Sequence, residues 1–107
     1  MIAVAQYDAY ENPTLAQREA FPYLVVVQSD QLDQFSTRLV MPLARFKTAP
    51  ATPRRLAQSV ELRGERLFLA AHLCAALPSR VLRRPVASLR SEATAIVDAL
   101  DAVVSGV

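Results

Sequence analysis

The sequence has two glycines, Gly64 and Gly106, one cysteine, Cys74, and one histidine, His72. Each scarcity removes a class of chemistry. A phosphate-cradling loop needs several glycines close together, so neither a P-loop nor a dinucleotide fingerprint can be built. A lone cysteine cannot close an intramolecular disulfide, and the compartment expected of such a chain is the cytoplasm. One histidine and one cysteine fall short of the three or four ligands of a zinc site. The carboxylates are scattered rather than paired for acid–base work. No apolar run approaches the ~20 residues of a membrane-spanning helix; the run from Leu67 to Leu77 is interrupted by His72. The short apolar stretch Met1 to Ala5 lacks a basic leader and does not read as a secretory signal. No cofactor, no metal, no membrane and no catalytic centre are expected.

What is present is apolar. Residues 1–107 fit one domain. The hydrophobic fraction is 52% and the mean hydropathy +0.20, enough apolar surface to offset chain entropy. A domain of this size is marginally stable alone, so burial between protomers is a natural addition.

The formal net charge is only +2, but its distribution is uneven. Arg54, Arg55, Arg63, Arg66, Arg80, Arg83, Arg84 and Arg90 face only Glu61 and Glu65 in the same stretch. A basic middle can signal nucleic acid. Here it lacks the interleaved aromatics of a single-strand binder and reads first as a solvated arginine-rich surface. An arginine-based ribonuclease site stays open, because no one arginine stands out.

The N-terminal half reads as strands. Ile2 to Tyr7 is β-branched and aromatic and stops at Asp8. Phe21 to Gln28, with three consecutive valines, reads as a buried strand. Arg38 to Leu43 reads as a third, with Pro42 at an edge or a bulge because proline cannot donate to a ladder. Between the first two, Tyr10 to Ala20 opens on the turn signal Glu11-Asn12-Pro13-Thr14 and is long for a hairpin loop. Such a segment is either functional or a mobile insertion. Lys47 to Arg55 reads as a loop. Leu56 to Leu62 and Arg66 to Ala71 form a hairpin around Arg63-Gly64-Glu65, where glycine supplies positive φ. Leu73 to Leu77 is ambiguous and ends at Pro78. Val81-Leu82 and Pro85-Val86 read as short extended pieces.

His72 and Cys74, if on one strand, would face the same side and could pair as base and nucleophile. A cysteine among small apolar residues is more often a buried small hydrophobe.

The C-terminal segment carries the clearest pattern. Ser88 is the expected N-cap, with Glu92 near the first turn, where the helix dipole favours negative charge. Ala93, Ile96, Val97, Leu100, Val103, Val104 and Val107 fall on one stripe about 120° wide. Asp98 and Asp101 lie outside it, and Gly106 is a ready stop.

Four collinear pieces resemble one known family. Val25-Val26-Val27-Gln28-Ser29-Asp30, Thr37 to Ala44, Val86-Ala87-Ser88-Leu89, and Ala99-Leu100-Asp101 through Val104-Ser105-Gly106-Val107 are similar to successive parts of CcdB-type toxins of toxin–antitoxin systems. The resemblance implies an α+β fold: an antiparallel β-sheet, an SH3-like barrel of the CcdB/Kid type, with a C-terminal α-helix. It implies a homodimer that binds the A subunit of DNA gyrase, traps the enzyme's DNA cleavage complex and is neutralised by a CcdA-like antitoxin. DNA would be met only through gyrase or as a toxin–antitoxin complex. Ser105, Gly106 and Val107 would be the gyrase-contacting tail. Leu100, Val103 and Val104 would form the dimer or partner face of the helix, and Gln31 and Leu32 an antitoxin contact. Ser105 departs from the pattern, because well-studied members carry tryptophan there, a typical hot-spot residue. Its loss removes roughly 2 kcal/mol or more of contact energy. Two alternatives follow: a same-fold endoribonuclease, or a non-toxic homologue that keeps antitoxin binding.

Overall fold

The computed structural model describes residues 4–45 and 58–106. Among them, seven strands make one antiparallel sheet: β1 (Asp8–Glu11), β2 (Tyr23–Val26), β3 (Thr37–Arg45), β4 (Ser59–Leu62), β5 (Glu65–Leu69), β6 (Ala75–Pro78) and β7 (Ala87–Ser88). Their order is β4-β5-β3-β2-β1-β7, and β6 also pairs with β3. One helix follows, α1 (Ala93–Ser105). The sheet curls into a nearly closed barrel beside that helix, the α+β arrangement expected of an SH3-like barrel.

The valine run explains the centre of the sheet. Side chains alternate between faces along a strand. Val25 and Val27 enter a core with Ala9, Met41, Leu43, Leu67, Leu69 and the helix residues Ile96 and Ala99. Leu24 and Val26 enter a second core with Val4, Tyr10, Val40 and Leu82. A strand buried on both faces loses its polar alternation, which is why this segment is apolar throughout.

The nine-residue β3 organises the rest. One edge pairs with β2. The other pairs with β6 over Thr37 to Val40 and with β5 over Leu43 to Arg45. Pro42 therefore sits in a central strand, opposite Leu24, and not at an edge. Its carbonyl accepts from the Ala70 amide at 3.0 Å, so its nitrogen also faces the β5/β6 side. That is the seam where the partner changes, and no ladder donor is needed there.

The hairpin turns at Arg63-Gly64 as expected, but its strands are shorter than Leu56–Leu62 and Arg66–Ala71: β4 begins at Ser59, β5 begins at Glu65 and ends at Leu69, and Leu56 and Ala57 lie outside the described residues. Leu62 pairs with Glu65, and both Arg63 (φ 52°) and Gly64 (φ 78°) are left-handed, the geometry of a type I′ turn. Val60 and Leu62 are buried, while Glu61 is exposed.

Other expectations shift. The first strand is not Ile2 to Tyr7: residues 4–7 form no strand, Ile2 and Ala3 lie outside the described residues, and β1 starts at Asp8. The break is at Tyr7, whose φ is 70°; its amide donates to the Val26 carbonyl at 2.7 Å and its carbonyl accepts from the Leu89 amide at 2.7 Å. Tyr10 and Glu11 belong to β1 rather than to the loop after it. Val81 ends a 3-10 turn (Ser79–Val81) instead of extending. The ambiguous segment around Leu73 divides into a 3-10 turn (Ala71–Leu73) and β6. The loop expected at Lys47 to Arg55 lies outside the described residues.

The loop after β1 is not a slack insertion. Asn12 is 3% exposed and ties it at four points. Its amide donates to the Pro22 carbonyl at 3.0 Å, and its Nδ2 to the Phe21 carbonyl at 3.0 Å. Its Oδ1 accepts from the Thr14 amide at 2.9 Å, and its carbonyl from Arg18 Nε at 2.6 Å.

Candidate partner-binding site at the helix end

Helix α1 starts five residues after the expected cap. Ser88 lies in β7, where it pairs with Asp8. Its Oγ accepts from the Arg90 amide at 3.3 Å and so supports only the 3-10 turn Arg90–Glu92. Glu92 takes the N-cap position itself, without a side-chain cap bond. The strand claims Ser88 because its backbone completes the edge beside β1.

The buried face of α1 is Ile96, Ala99 and Ala102, with Ala95 and Leu100 half-buried against the same core. Alanines let the helix approach the sheet closely, so they take positions that a hydropathy stripe assigns to valines. Of that stripe Ile96 is buried and Leu100 partly so, while Val97 is 42%, Val103 39% and Val104 86% exposed. Val97 borders a shallow surface groove with Ala93, Thr94 and Asp98.

The helix ends as its composition suggests. Gly106 is left-handed (φ 73°), and its amide donates to the Ala102 carbonyl at 3.1 Å. Ser105 Oγ donates to the Asp101 carbonyl at 2.7 Å. Ser105 and Gly106 are exposed, and Val107 lies outside the described residues.

Gln31 and Leu32 lie on a 3-10 turn, Asp30–Leu32, and both are exposed. Ser29 Oγ accepts from the Gln31 amide at 3.1 Å. Gln28 braces the turn: its Oε1 accepts from the Leu39 amide at 2.9 Å, and its Nε2 donates to the Leu32 and Thr37 carbonyls. Arg38, 7% exposed, holds the following loop through the Phe35, Thr37 and Asp33 carbonyls. Gln28-Ser29-Asp30 and Arg38 thus serve the structure of this turn.

A short segment joins this turn to the helix. The Gln6 amide donates to Asp30 Oδ1 at 2.8 Å, and the next residue, Tyr7, holds Leu89. Asp8 beside them titrates above the usual carboxylate range. Burial is the main cause; Asp30 adds to it, while Arg90 and a backbone bond at Ala5 oppose it.

A family model described as CcdB protein matches residues 6–106. The chain belongs to the CcdB family. It is thus a toxin-type member of toxin–antitoxin systems, and the matched span covers all seven strands and the helix. No curated protein matches the chain.

In this CcdB-family chain, His72 is exposed on the 3-10 turn Ala71–Leu73, and Cys74 follows it, half-buried against the core. They do not share a strand. Burial pushes the Cys74 thiol up, away from the thiolate a nucleophile needs. The basic stretch divides: Arg66 pairs with Glu61 at 3.5 Å, and Arg90 lies over the Tyr7 ring at 5.8 Å. Arg63, Arg83 and Arg84 converge on Arg18, from a loop far away in sequence. That convergence had no linear signal. No described helix is long and apolar enough to cross a membrane.

Proposed function

We propose that this CcdB-family toxin acts as a single-domain cytoplasmic homodimer. It binds the A subunit of DNA gyrase with the end of its C-terminal helix, traps the cleavage complex, and is neutralised by a CcdA-like antitoxin. The observation that carries this reading is the helix end itself. Val103, Val104, Ser105 and Gly106 are exposed at the terminus of a helix whose opposite face is anchored by Ile96, Ala99 and Ala102. An apolar surface on a rigid mount is what a partner-binding hot spot requires. Gln31 and Leu32, on the braced turn, are the antitoxin contact. Leu100, Val103 and Val104 contribute the partner face.

The deciding experiment is inhibition of supercoiling by gyrase from the organism that encodes the chain, with drug-free cleavage-complex accumulation as readout. Inhibition lost in Val104→Asp and in a variant truncated after Val104 supports the reading. No inhibition by the intact chain sinks it.

A second reading rests on Ser105. Its hydroxyl is bonded inside the helix, and its side chain offers no large apolar face. A chain that binds an antitoxin but not gyrase would show antitoxin binding without growth arrest on overexpression.

A further inference from the structure

Exposed aromatic side chains are scarce in this molecule. Among the described residues, Tyr10 and Phe68 are buried, and Tyr7, Phe21 and Tyr23 are half-buried. Of the described aromatics Phe35 alone stands in water, 54% exposed, on the loop that follows the turn Asp30–Leu32. Leu32, three residues earlier, is 43% exposed. Single apolar side chains at a surface are ordinary. Two large ones on one short loop are less so, and an aromatic is the residue type that most often anchors a protein contact.

The backbone beneath this pair is pinned. The Phe35 amide donates to the Leu32 carbonyl at 3.2 Å, which closes a turn between the two residues. The same carbonyl accepts from Gln28 Nε2 at 3.3 Å. The Phe35 carbonyl accepts from Arg38, whose guanidinium also holds the Asp33 carbonyl at 3.1 Å. Arg38 is itself buried and belongs to β3, so the loop is fastened to the sheet. Ordering a loop on binding costs conformational entropy. Here the backbone is ordered in advance, and the two apolar side chains are left uncovered.

The charge around the pair selects the partner. Every residue from Ser29 to Thr37 is exposed, and Asp30 and Asp33 give this stretch a formal −2 in a chain of net +2. Neither carboxylate forms an ion pair among the described residues. Asp30 Oδ1 accepts from the Gln6 amide at 2.8 Å, a bond that fixes the carboxylate without neutralising it. Arg38, the cation nearest in sequence, is spent on backbone carbonyls. Such a surface repels phosphate-bearing partners and attracts basic ones. An exposed ring also offers its face to a lysine or arginine.

We propose that Phe35 is the aromatic anchor of a docking surface for a basic, apolar-bearing protein segment. The segment's apolar side chain covers Phe35 and Leu32, and its flanking cations meet Asp30 and Asp33. The inference rests on the reading of Gln31 and Leu32 as the antitoxin contact and deepens it: it adds the residue that anchors the contact and the chemistry of the antitoxin segment received there. The helix end, where Ser105 stands, has no aromatic to offer; on this chain the exposed aromatic lies on the loop after the turn.

The test is fluorescence anisotropy on the full chain with a labelled dodecapeptide alternating lysine with leucine. Two further peptides accompany it: one with serine for leucine, and one with glutamate for lysine. The lysine–leucine peptide binds, and binding weakens as salt rises; the other two bind roughly tenfold or more weakly. Phe35→Ser lowers affinity roughly tenfold, and Asp33→Lys lowers it several-fold. Both residues are exposed, so the melting temperature of each variant is unchanged. Glu61→Lys, the same charge change on exposed β4, leaves binding as it was. Equal binding of the serine peptide, tighter binding of the glutamate peptide, or indifference to Phe35→Ser overturns the proposal. So does a fall in sedimentation coefficient on Phe35→Ser, which would assign the ring to a contact between copies of this chain. No antitoxin enters the measurement, so its failure is distinct from failure of the antitoxin reading, which undiminished antitoxin binding by Gln31→Lys/Leu32→Lys would show.

Discussion

Ser105 Oγ donates to the Asp101 carbonyl oxygen one turn back, at 2.7 Å. The hydroxyl thus spends its donor within its own helix, as serines near helix ends commonly do. The last side chain before the Gly106 stop is therefore small and internally satisfied, and the exposed apolar surface at this end belongs to Val103 and Val104.

Ser105→Trp is expected to strengthen gyrase binding roughly tenfold or more, because a rigid aromatic at a helix end supplies hot-spot area. Folding stability changes by less than about 0.5 kcal/mol, since the site is exposed. Titration against the isolated A subunit of gyrase, together with supercoiling inhibition, checks it. Unchanged affinity would mean that the helix end does not form the contact.

Ile96 and Val104 lie on the same helix with opposite fates, 0% and 86% exposed. Ile96→Ala should cost about 2–5 kcal/mol by lost burial and a cavity. Val104→Ala should cost under about 0.5 kcal/mol. Urea unfolding of both variants measures the difference, and equal costs would contradict the orientation of the helix.

Gly64 has φ +78° in a two-residue hairpin, and a Cβ there would meet nothing within 4 Å. The cost of Gly64→Ala is therefore conformational alone, on the order of 1 kcal/mol. Gly64→Asn should recover part of it, because asparagine tolerates the left-handed region. Thermal unfolding of the two variants side by side distinguishes this from a packing effect, which would make asparagine the worse replacement.

Asp8 has its folded pKa raised, by burial first and by Asp30 second among the raising causes. Between its unfolded and folded pKa values the native state holds more protons than the unfolded one, so its contribution to stability falls as pH rises through that window. Its cost is complete above the folded pKa and absent below the unfolded value near ~4. Asp8→Asn should therefore raise stability at neutral pH and leave it unchanged in acid. Melting curves across that range test the sign; a variant that loses stability at neutral pH would refute it.

Much of the fold is written locally. The run from Leu24 to Val27 is apolar because it is buried on both faces, and no other placement suits it. Arg63-Gly64 lies between alternating segments, so turn and register follow from neighbours alone. Gly106 stops the helix because it enters the left-handed region at little cost. Four collinear segments suffice to suggest the family.

Other features depend on residues far apart in the chain. Pro42 looks like an edge residue until β5 and β6 are seen to meet beside it. Tyr7 looks like strand until its backbone is held by Val26 and Leu89. Ser88 looks like a helix cap until β1 recruits it as a strand. A hydropathy stripe cannot tell that Ala99 and Ala102, rather than Val103 and Val104, face the sheet, because close approach rewards small side chains and counts for nothing in a single helix.

The sequence by itself determined the core strand, the hairpin turn, the terminal helix with its stop, and the family. Tertiary structure alone decided which helix residues stay exposed and which four arginines converge. The reason is range: backbone preference and alternation act over a few residues, whereas exposure and charge convergence are set by contacts between segments such as those of Arg18 and Arg84, which only folding brings together.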